Sequence, residues 1–417
     1  MAIELYRSGR TVHDVPSPPR LEPGLEARLA RILGEEPFGG RARLAALHAR
    51  LDHLSYGVVV CVPARDEAER LVATLNSVAA SLDAVSEAAA IVVAVNNSTD
   101  ATFGLARRWG EQHGRAMLVC DVRFADAIAD AGHARRLALD AGALLAEPGA
   151  VLLSTDADTR VEPSWAPRMT GAVRAGADLV VGRIDTDEVE FAALPQAVQE
   201  AEAAERQLLA RQDAMWSRLV PDALQAMGLR AGGANLAVSN DAYARIGGAP
   251  TPAFGEDRAL VAAMLRHDRP VAVERSRTIR TSCRLEARAS YGLSGMLKSR
   301  LGEPDPLCDE VLLPAHVFAL RALAWRHLRE ARRTWRVREM IAGVEALGAA
   351  LSVPPVSLFP TARTHGRDWE RLLARLEPPS RLRVSDVPGE VRWADAILER
   401  TTPGAPVERL VKEILSC

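Results

Sequence analysis

A chain of 417 residues exceeds one ordinary domain and points to two or three units. Its 48% hydrophobic and 25% charged residues exclude disorder and fibre, and allow a sizeable core without disulfides or a structural metal. With 52 basic and 54 acidic residues the net charge is −2, so no global field draws nucleic acid, and 4% aromatics disfavours platforms for stacked single strands.

Only Lys298 and Lys412 are lysines, which leaves 50 arginines; that skew is read as composition rather than function. The cysteines, Cys61, Cys120, Cys283, Cys308 and Cys417, are dispersed and form no C-x-x-C pair. Such a set predicts unpaired thiols in a reducing compartment, neither a disulfide framework nor a zinc site. Met1-Ala-Ile-Glu-Leu-Tyr-Arg lacks the apolar core of a signal peptide. No run approaches the roughly 18 apolar residues of a membrane span, so a cytoplasmic protein is expected.

Residues 1–54 open with Pro16, Pro18, Pro19 and Pro23, and the pattern then predicts one amphipathic helix from about Leu25 to Leu54, an appended arm. From Gly57 short Val/Ile-rich runs alternate with helical segments. Strands are predicted at Val58–Val62, Ile91–Val95, Met117–Cys120, Val151–Ser154, Leu179–Ile184, Asn235–Val238 and Val271–Val273. Continuous apolar runs of this length suit buried strands of a mostly parallel sheet, and their alternation with helices indicates a layered α/β domain over residues 55–303. Ala68–Ala80 places Leu71, Leu75 and Val78 on one helical face, and Gln196–Leu219 reads as a single helix with Arg211 and Arg218 toward its C-terminus. Beyond about Asp305 no strand pattern persists. Helices at Val317–Leu347 and Arg363–Leu376 predict a helical C-terminal region over 304–417. No repeat recurs at a fixed period.

The first strand runs into Pro63-Ala64-Arg65-Asp66-Glu67, where open α/β sheets bind ligands, yet carries neither G-x-G-x-x-G nor a P-loop lysine. An acidic helix start is the structural alternative. The second strand ends at Asn96-Asn97-Ser98-Thr99-Asp100, residues that suit a ribose or base and equally an ordinary turn. Asp156-Ala157-Asp158 ends a later strand, where two carboxylates can hold a divalent cation that neutralises a diphosphate. A second copy, Asp185-Thr186-Asp187, reads as a solvated loop. Further on come Gly232-Gly233-Ala234-Asn235-Leu236, Ile246-Gly247-Gly248 and Gly255-Glu256-Asp257-Arg258-Ala259-Leu260.

This ordered series (P-A-R-D-E, N-N-S-T-D, D-A-D, G-A-N-L, I-G-G, G-E-D-R-A-L) resembles the family 2 glycosyltransferases of the GT-A fold, over roughly Tyr56 to Arg300. The resemblance implies a nucleoside pocket lined by Pro63, Ala64, Arg65, Glu67 and Asn97. It implies Asp156 at the ribose or metal, Ala157 between the two aspartates, and Asp158 as a ligand of Mg²⁺ or Mn²⁺. Asp257 then matches the catalytic base with Glu256 supporting the acceptor side, while Gly233, Asn235 and Arg284 fall on that side too. Within Gly132-His133-Ala134-Arg135-Arg136, Arg136 is the expected diphosphate contact and His133 a surface or packing residue. Arg284 stands open between a phosphate contact and the partner of a surface carboxylate.

The pattern departs from the family at Asn96-Asn97, where an acidic pair is usual. It departs again at Thr281-Ser282-Cys283-Arg284, which replaces the Q-x-x-R-W of processive members and argues for transfer of one sugar. The resemblance thus implies a UDP- or GDP-linked sugar donor, a hydroxyl acceptor and inversion at the sugar. A non-catalytic scaffold of the same fold and a sugar-phosphate nucleotidyltransferase are the alternatives, the latter disfavoured by the absent Gly-rich loop and lysine. Arg321, Arg326, Arg329, Arg332, Arg333, Arg336 and Arg338 surround Leu320, Leu323 and Trp325. They are read as a solvated helix laced with ion pairs, the sharper alternative being a basic face for a peripheral membrane surface or a lipid-linked acceptor.

Overall fold

The structure is a computed structural model that describes residues 24–220, 232–285, 293–333 and 337–417. In chain order the first half comprises α1 (Leu25–Gly34), β1 (Ala42–Arg50), β2 (Tyr56–Ala64), α2 (Leu71–Leu82), β3 (Ala89–Asn96), α3 (Thr102–His113), β4 (Met117–Phe124), α4 (Ala131–Leu145) and β5 (Ala146–Ser154). Then follow β6 (Thr159–Val161), α5 (Trp165–Arg174), β7 (Leu179–Gly182), β8 (Asp185–Thr186), α6 (Glu188–Ala192), α7 (Gln196–Leu219), β9 (Leu236–Ser239), α8 (Asn240–Arg245), α9 (Glu256–Arg266), β10 (Val271–Glu274) and β11 (Ile279–Thr281). Every strand expected from the Val/Ile-rich runs is present.

The main sheet has eight strands in the order β1-β4-β3-β2-β5-β9-β7-β10. Neighbours from β4 to β5 are parallel, β9 runs antiparallel between β5 and β7, and β1 is antiparallel to β4 at the edge. Helices cover both faces, which is why β2 and β3 carry almost unbroken apolar sequence. Val59 and Cys61 belong to the core that includes Leu137, Ala138 and Ala141 of α4. Val58, Val60 and Val62 belong to the opposite core with Leu71, Leu75 and Val78 of α2, as the period of two along a strand requires. A small second sheet, β6-β11-β8, lies beyond the strand ends.

Two expectations differ from the structure. The helix read from Leu25 to Leu54 stops at Gly34; Gly39 and Gly40 take φ of 54° and 72°, and the chain returns as β1. The described part of the arm is therefore a short helix followed by an edge strand of the main sheet. In the C-terminal region, α10 (Leu293–Gly302) precedes α11 (Ala315–Arg333) and α12 (Val337–Leu351), which divide the stretch read as one helix. Next come α13 (His365–Leu373), α14 (Val387–Arg400) and α15 (Val407–Leu415). The arginines of α11 are less solvated than expected: Arg326 is buried and donates to Glu330 at 2.6 Å, and Arg332 donates to the fully buried Asp368. Arg336 lies outside the described residues. No helix among the described residues is long and apolar enough to cross a membrane.

The helical region braces α9, the helix opened by Glu256 and Asp257. Asp268, just past α9, accepts from the backbone N–H of His365 and Gly366 at 3.0 Å each, a carboxylate at the N-terminus of α13. A Cβ on Gly366 would lie 1.8 Å from the carbonyl oxygen of Leu265, so the two helices meet only because that position has no side chain. Gly366→Ala is expected to lower stability by about 1–3 kcal/mol, since backbone cannot yield as a side-chain tip can. Denaturant unfolding checks this, and an unchanged midpoint would contradict the close approach.

Candidate active site

The C-terminal ends of β2, β3 and β5 open onto one side of the sheet, and the turns that follow are tied together. Asp66, at φ 52°, accepts at Oδ1 from Thr99 N–H at 2.7 Å, while its own N–H donates to Ser98 Oγ at 2.9 Å. Glu67 N–H donates to Thr102 Oγ1 at 2.8 Å, and Ala68 N–H to Asp100 Oδ2 at 3.0 Å. The polar residues of P-A-R-D-E and N-N-S-T-D thus largely serve one another. Ala64 is buried and Pro63 half-buried, whereas the Arg65 side chain is 39% exposed at the rim.

Below these turns sit the aspartates that end β5. Asp156 Oδ1 accepts from Arg135 Nη2 at 2.8 Å. The same guanidinium donates through Nη1 to Ser154 Oγ at 2.9 Å and to the carbonyl of Gly233 at 2.8 Å, and through Nε to Glu256 Oε1 at 3.2 Å. Arg135 is buried, and all three of its nitrogens are engaged. A Cβ on Gly233 would stand 2.0 Å from its Cζ, so glycine there is what admits the arginine.

Asp158 faces a different cation. Arg284 Nη2 lies 3.1 Å from Asp158 Oδ2, and the same guanidinium forks onto both carboxylate oxygens of the buried Glu67, with Nη1 at 2.9 Å from Oε2. Burial, then the nearby charges of Asp156 and Glu67, push the Asp158 carboxyl up to about 7, with Arg284 pulling the other way.

Glu256 and Asp257 open α9 behind Gly255 at φ 72°. Arg135 holds Glu256, and the N–H of Arg258 donates to Asp257 Oδ1 at 2.7 Å. Burial and the neighbouring Glu256 raise Asp257 to about 6, partly offset by that hydrogen bond, Arg135 and Arg258. The acid pair and the D-A-D pair are therefore linked through one guanidinium.

Residues 59–230 match the family model described as glycosyl transferase family 2. That segment is a family 2 glycosyltransferase domain. Gly233, Glu256, Asp257 and Arg284 lie beyond the matched residues. No curated protein matches the sequence. Among solved structures, the chain is similar to glucosyl-3-phosphoglycerate synthase from Mycobacterium tuberculosis, in complex with Mn²⁺, UDP and glucosyl-3-phosphoglycerate. Identity there is 16%, covering 59% of this chain and 78% of that one, with a TM-score of 0.35. It is also similar to S. aureus TarS 1-349 in complex with UDP-GlcNAc, at 14% identity, 76% and 89% coverage and a TM-score of 0.41.

Three of the expected ligand residues have hydrogen-bond partners within the protein. Asn97, expected in the nucleoside pocket, takes φ of 48° and spends both ends of its amide on Phe124, donating to its carbonyl at 2.9 Å and accepting its N–H at 2.8 Å. Asn235, expected on the acceptor side, is fully buried, accepting from Trp165 Nε1 at 2.9 Å and donating to the Arg183 carbonyl at 2.7 Å. Arg136, expected at the diphosphate, donates to Asp140 at 2.6 Å and to the Ala249 carbonyl at 2.9 Å, and its neighbour Arg135 meets Asp156 instead. Arg136 and Asp140 stand at i, i+4 on one helix, a spacing that favours such a pair. His133 is buried against its own N-cap Asp130, as expected of a packing residue. In the second D-x-D copy, Asp185 begins a short strand and Asp187 caps α6.

Among the described residues no three His, Cys, Asp or Glu side chains gather to hold a metal by themselves. Asp156 and Asp158 nonetheless suit a hard cation such as Mg²⁺ or Mn²⁺, which commonly takes one or two carboxylates and completes its shell with substrate phosphate and water. The raised Asp158 carboxyl has a consequence in the metal-free protein. Its value of about 7 in the folded protein lies above the 3.8 of an ordinary aspartate, so the stability carried by its proton is present at low pH and lost as pH rises through about 7. Asp158→Asn, which cannot ionise, is expected to be more stable than wild type at pH 8 by on the order of 2–4 kcal/mol, the gap closing toward pH 4. Thermal unfolding across pH without added metal checks this; a less stable variant at pH 8 would contradict it.

Proposed function

We propose that this protein transfers one sugar from a nucleotide-diphosphate donor to an acceptor hydroxyl, with inversion, and that residues 55–303 form the transferring unit. The single observation that carries the reading is the Arg135 guanidinium held between Asp156 and Glu256. It sets the D-A-D pair and the acid pair across one buried cation, as a site that brings donor and acceptor together requires.

In this reading Pro63, Ala64 and the exposed Arg65 border the nucleoside, and Asp156 and Asp158, with Ala157 between them, face the diphosphate. A divalent cation, Mg²⁺ or Mn²⁺, bound by Asp158 and Asp156 would neutralise charge developing on the leaving diphosphate. Asp257 accepts the proton of the acceptor hydroxyl, whose own pKa is far above 7. Burial and Glu256 hold Asp257 at about 6, where it is ionised at neutral pH yet more basic than an ordinary aspartate. One base opposite the leaving group suffices for direct displacement. Thr281-Ser282-Cys283-Arg284, in place of Q-x-x-R-W, supports transfer of a single sugar rather than polymer extrusion. The donor is UDP- or GDP-linked in this reading. Five cysteines without a disulfide, four of them buried, suit a reducing cytoplasm.

Asp257→Asn is expected to lower nucleotide release from the productive donor and acceptor by about a thousandfold or more, as loss of a positioned base does, with donor affinity within about threefold of wild type. Wild-type kcat should rise with pH through about 6, as the Asp257 carboxyl loses its proton. Undiminished turnover in the variant would remove Asp257 as the base. Failure of every UDP- and GDP-sugar to raise the melting temperature in the presence of Mn²⁺ would favour a non-catalytic scaffold.

A further inference from the structure

The two arginines of the site are held in different ways. Arg135 is fixed from four directions, two of them uncharged: a serine hydroxyl and a backbone carbonyl. Arg284 has its backbone secured and its head held by charge alone. Its N–H donates to Ser282 Oγ at 3.3 Å, and its carbonyl accepts from Ser294 Oγ at 2.7 Å. Glu190 pins the preceding residues, accepting from Ser282 Oγ at 2.6 Å and Cys283 N–H at 2.8 Å. Among the described residues the guanidinium hydrogen-bonds and ion-pairs with Glu67 and Asp158.

Those carboxylates lie where a cation belonging to the donor diphosphate would sit under the reading above, on which this inference rests. Glu67 and Asp158 are both acidic, and Arg284 returns positive charge to the two of them. A divalent ion arriving alone must displace the guanidinium from Asp158, while Glu190, a further carboxylate acting on Arg284, is already engaged by Arg70, Ser282 and Cys283. An ion arriving with a diphosphate brings a new anion with it. The Arg284 side chain is 15% exposed and Glu67 is 9% exposed, so water screens the exchange weakly.

We propose that Arg284 is an exchangeable counter-cation that holds Asp158 and Glu67 against metal in the donor-free protein and gives up Asp158 when a divalent ion binds. The head moves while the backbone stays, because Glu190 and Ser294 anchor the chain on either side and the side chain is long enough to swing. The site therefore takes up metal poorly until a diphosphate accompanies it.

Mn²⁺ alone is the probe, its binding to the full chain read from the electron paramagnetic resonance of the free ion, with no nucleotide present. Arg284→Gln is expected to bind Mn²⁺ about tenfold more tightly than wild type, the effect of removing one close competing charge. Arg284→Lys keeps the charge but cannot fork onto two carboxylates, and is expected to tighten binding by about threefold. A Gln variant that binds no more tightly than wild type would overturn the proposal, as would a Lys variant matching the full gain of Gln. Where the Gln variant does not fold, the Lys variant decides: tighter binding supports the exchange, and unchanged binding overturns it. The readout needs no sugar donor. The expected order of affinities without turnover of any nucleotide sugar would sink the transferase reading and leave the exchange standing; turnover with unchanged Mn²⁺ affinities would do the reverse.

Discussion

The arrangement of this site depends on one buried guanidinium. Arg135 stands on α4, inside the layered core, and reaches the end of β5, the Gly232–Asn235 segment and the start of α9. An arginine this buried is tolerable only when each donor is satisfied, and removing one of its carboxylates would leave an uncompensated charge. The three segments consequently hold one another in register. Gly233 belongs to the same constraint, because any side chain there would occupy the space of the guanidinium. Asp156 and Glu256, 100 residues apart in sequence, become neighbours through it.

The helical C-terminal region bears on the same geometry from outside. Gly366 lets α13 lie against the last turn of α9, Arg266 forks onto Glu370 at 2.6 and 2.8 Å, and Arg258 pairs with Glu310. Arg300 of α10, fully buried, pairs with Glu202 and Glu205 of α7, which secures the chain that follows Arg284. The helix bearing the acid pair is thus fixed at its start by Arg135 and along its length by the C-terminal region, as the base proposed at Asp257 would require.

The sheet was legible in the sequence because its central strands are buried on both faces, and burial of that kind writes unbroken runs such as Val58–Val62 and Ile91–Val95. The edge strand β1 was not, because a half-exposed edge shows neither a continuous run nor a clean alternation, and Ala-Arg-Leu-Ala-Ala-Leu imitates a helix. The positions of the aspartates and of the acid pair were readable from their order along the chain. Asn97, Asn235 and Arg136 share one feature, that each is hydrogen-bonded within the protein. Residue type announces hydrogen-bonding capacity, while only the fold decides whether a ligand or the backbone uses it. Phe124, Arg183 and Ala249 supply backbone partners that no local pattern reveals. Arg284 was left between a phosphate and a carboxylate, and the structure has it on two carboxylates.

In the proposed function one site holds the D-A-D pair, the acid pair and both arginines, and a nucleotide diphosphate and a divalent cation would meet at Asp158, across Arg135 from the acid pair. The direct measurement is a crystal structure of the protein with Mn²⁺ and the nucleotide sugar that most raises its melting temperature. The expected result is the ion on Asp158, the sugar carbon facing Asp257, and Arg284 withdrawn from Asp158. A nucleotide bound away from the ends of β2 and β5, with Arg284 still paired to Asp158, would contradict it.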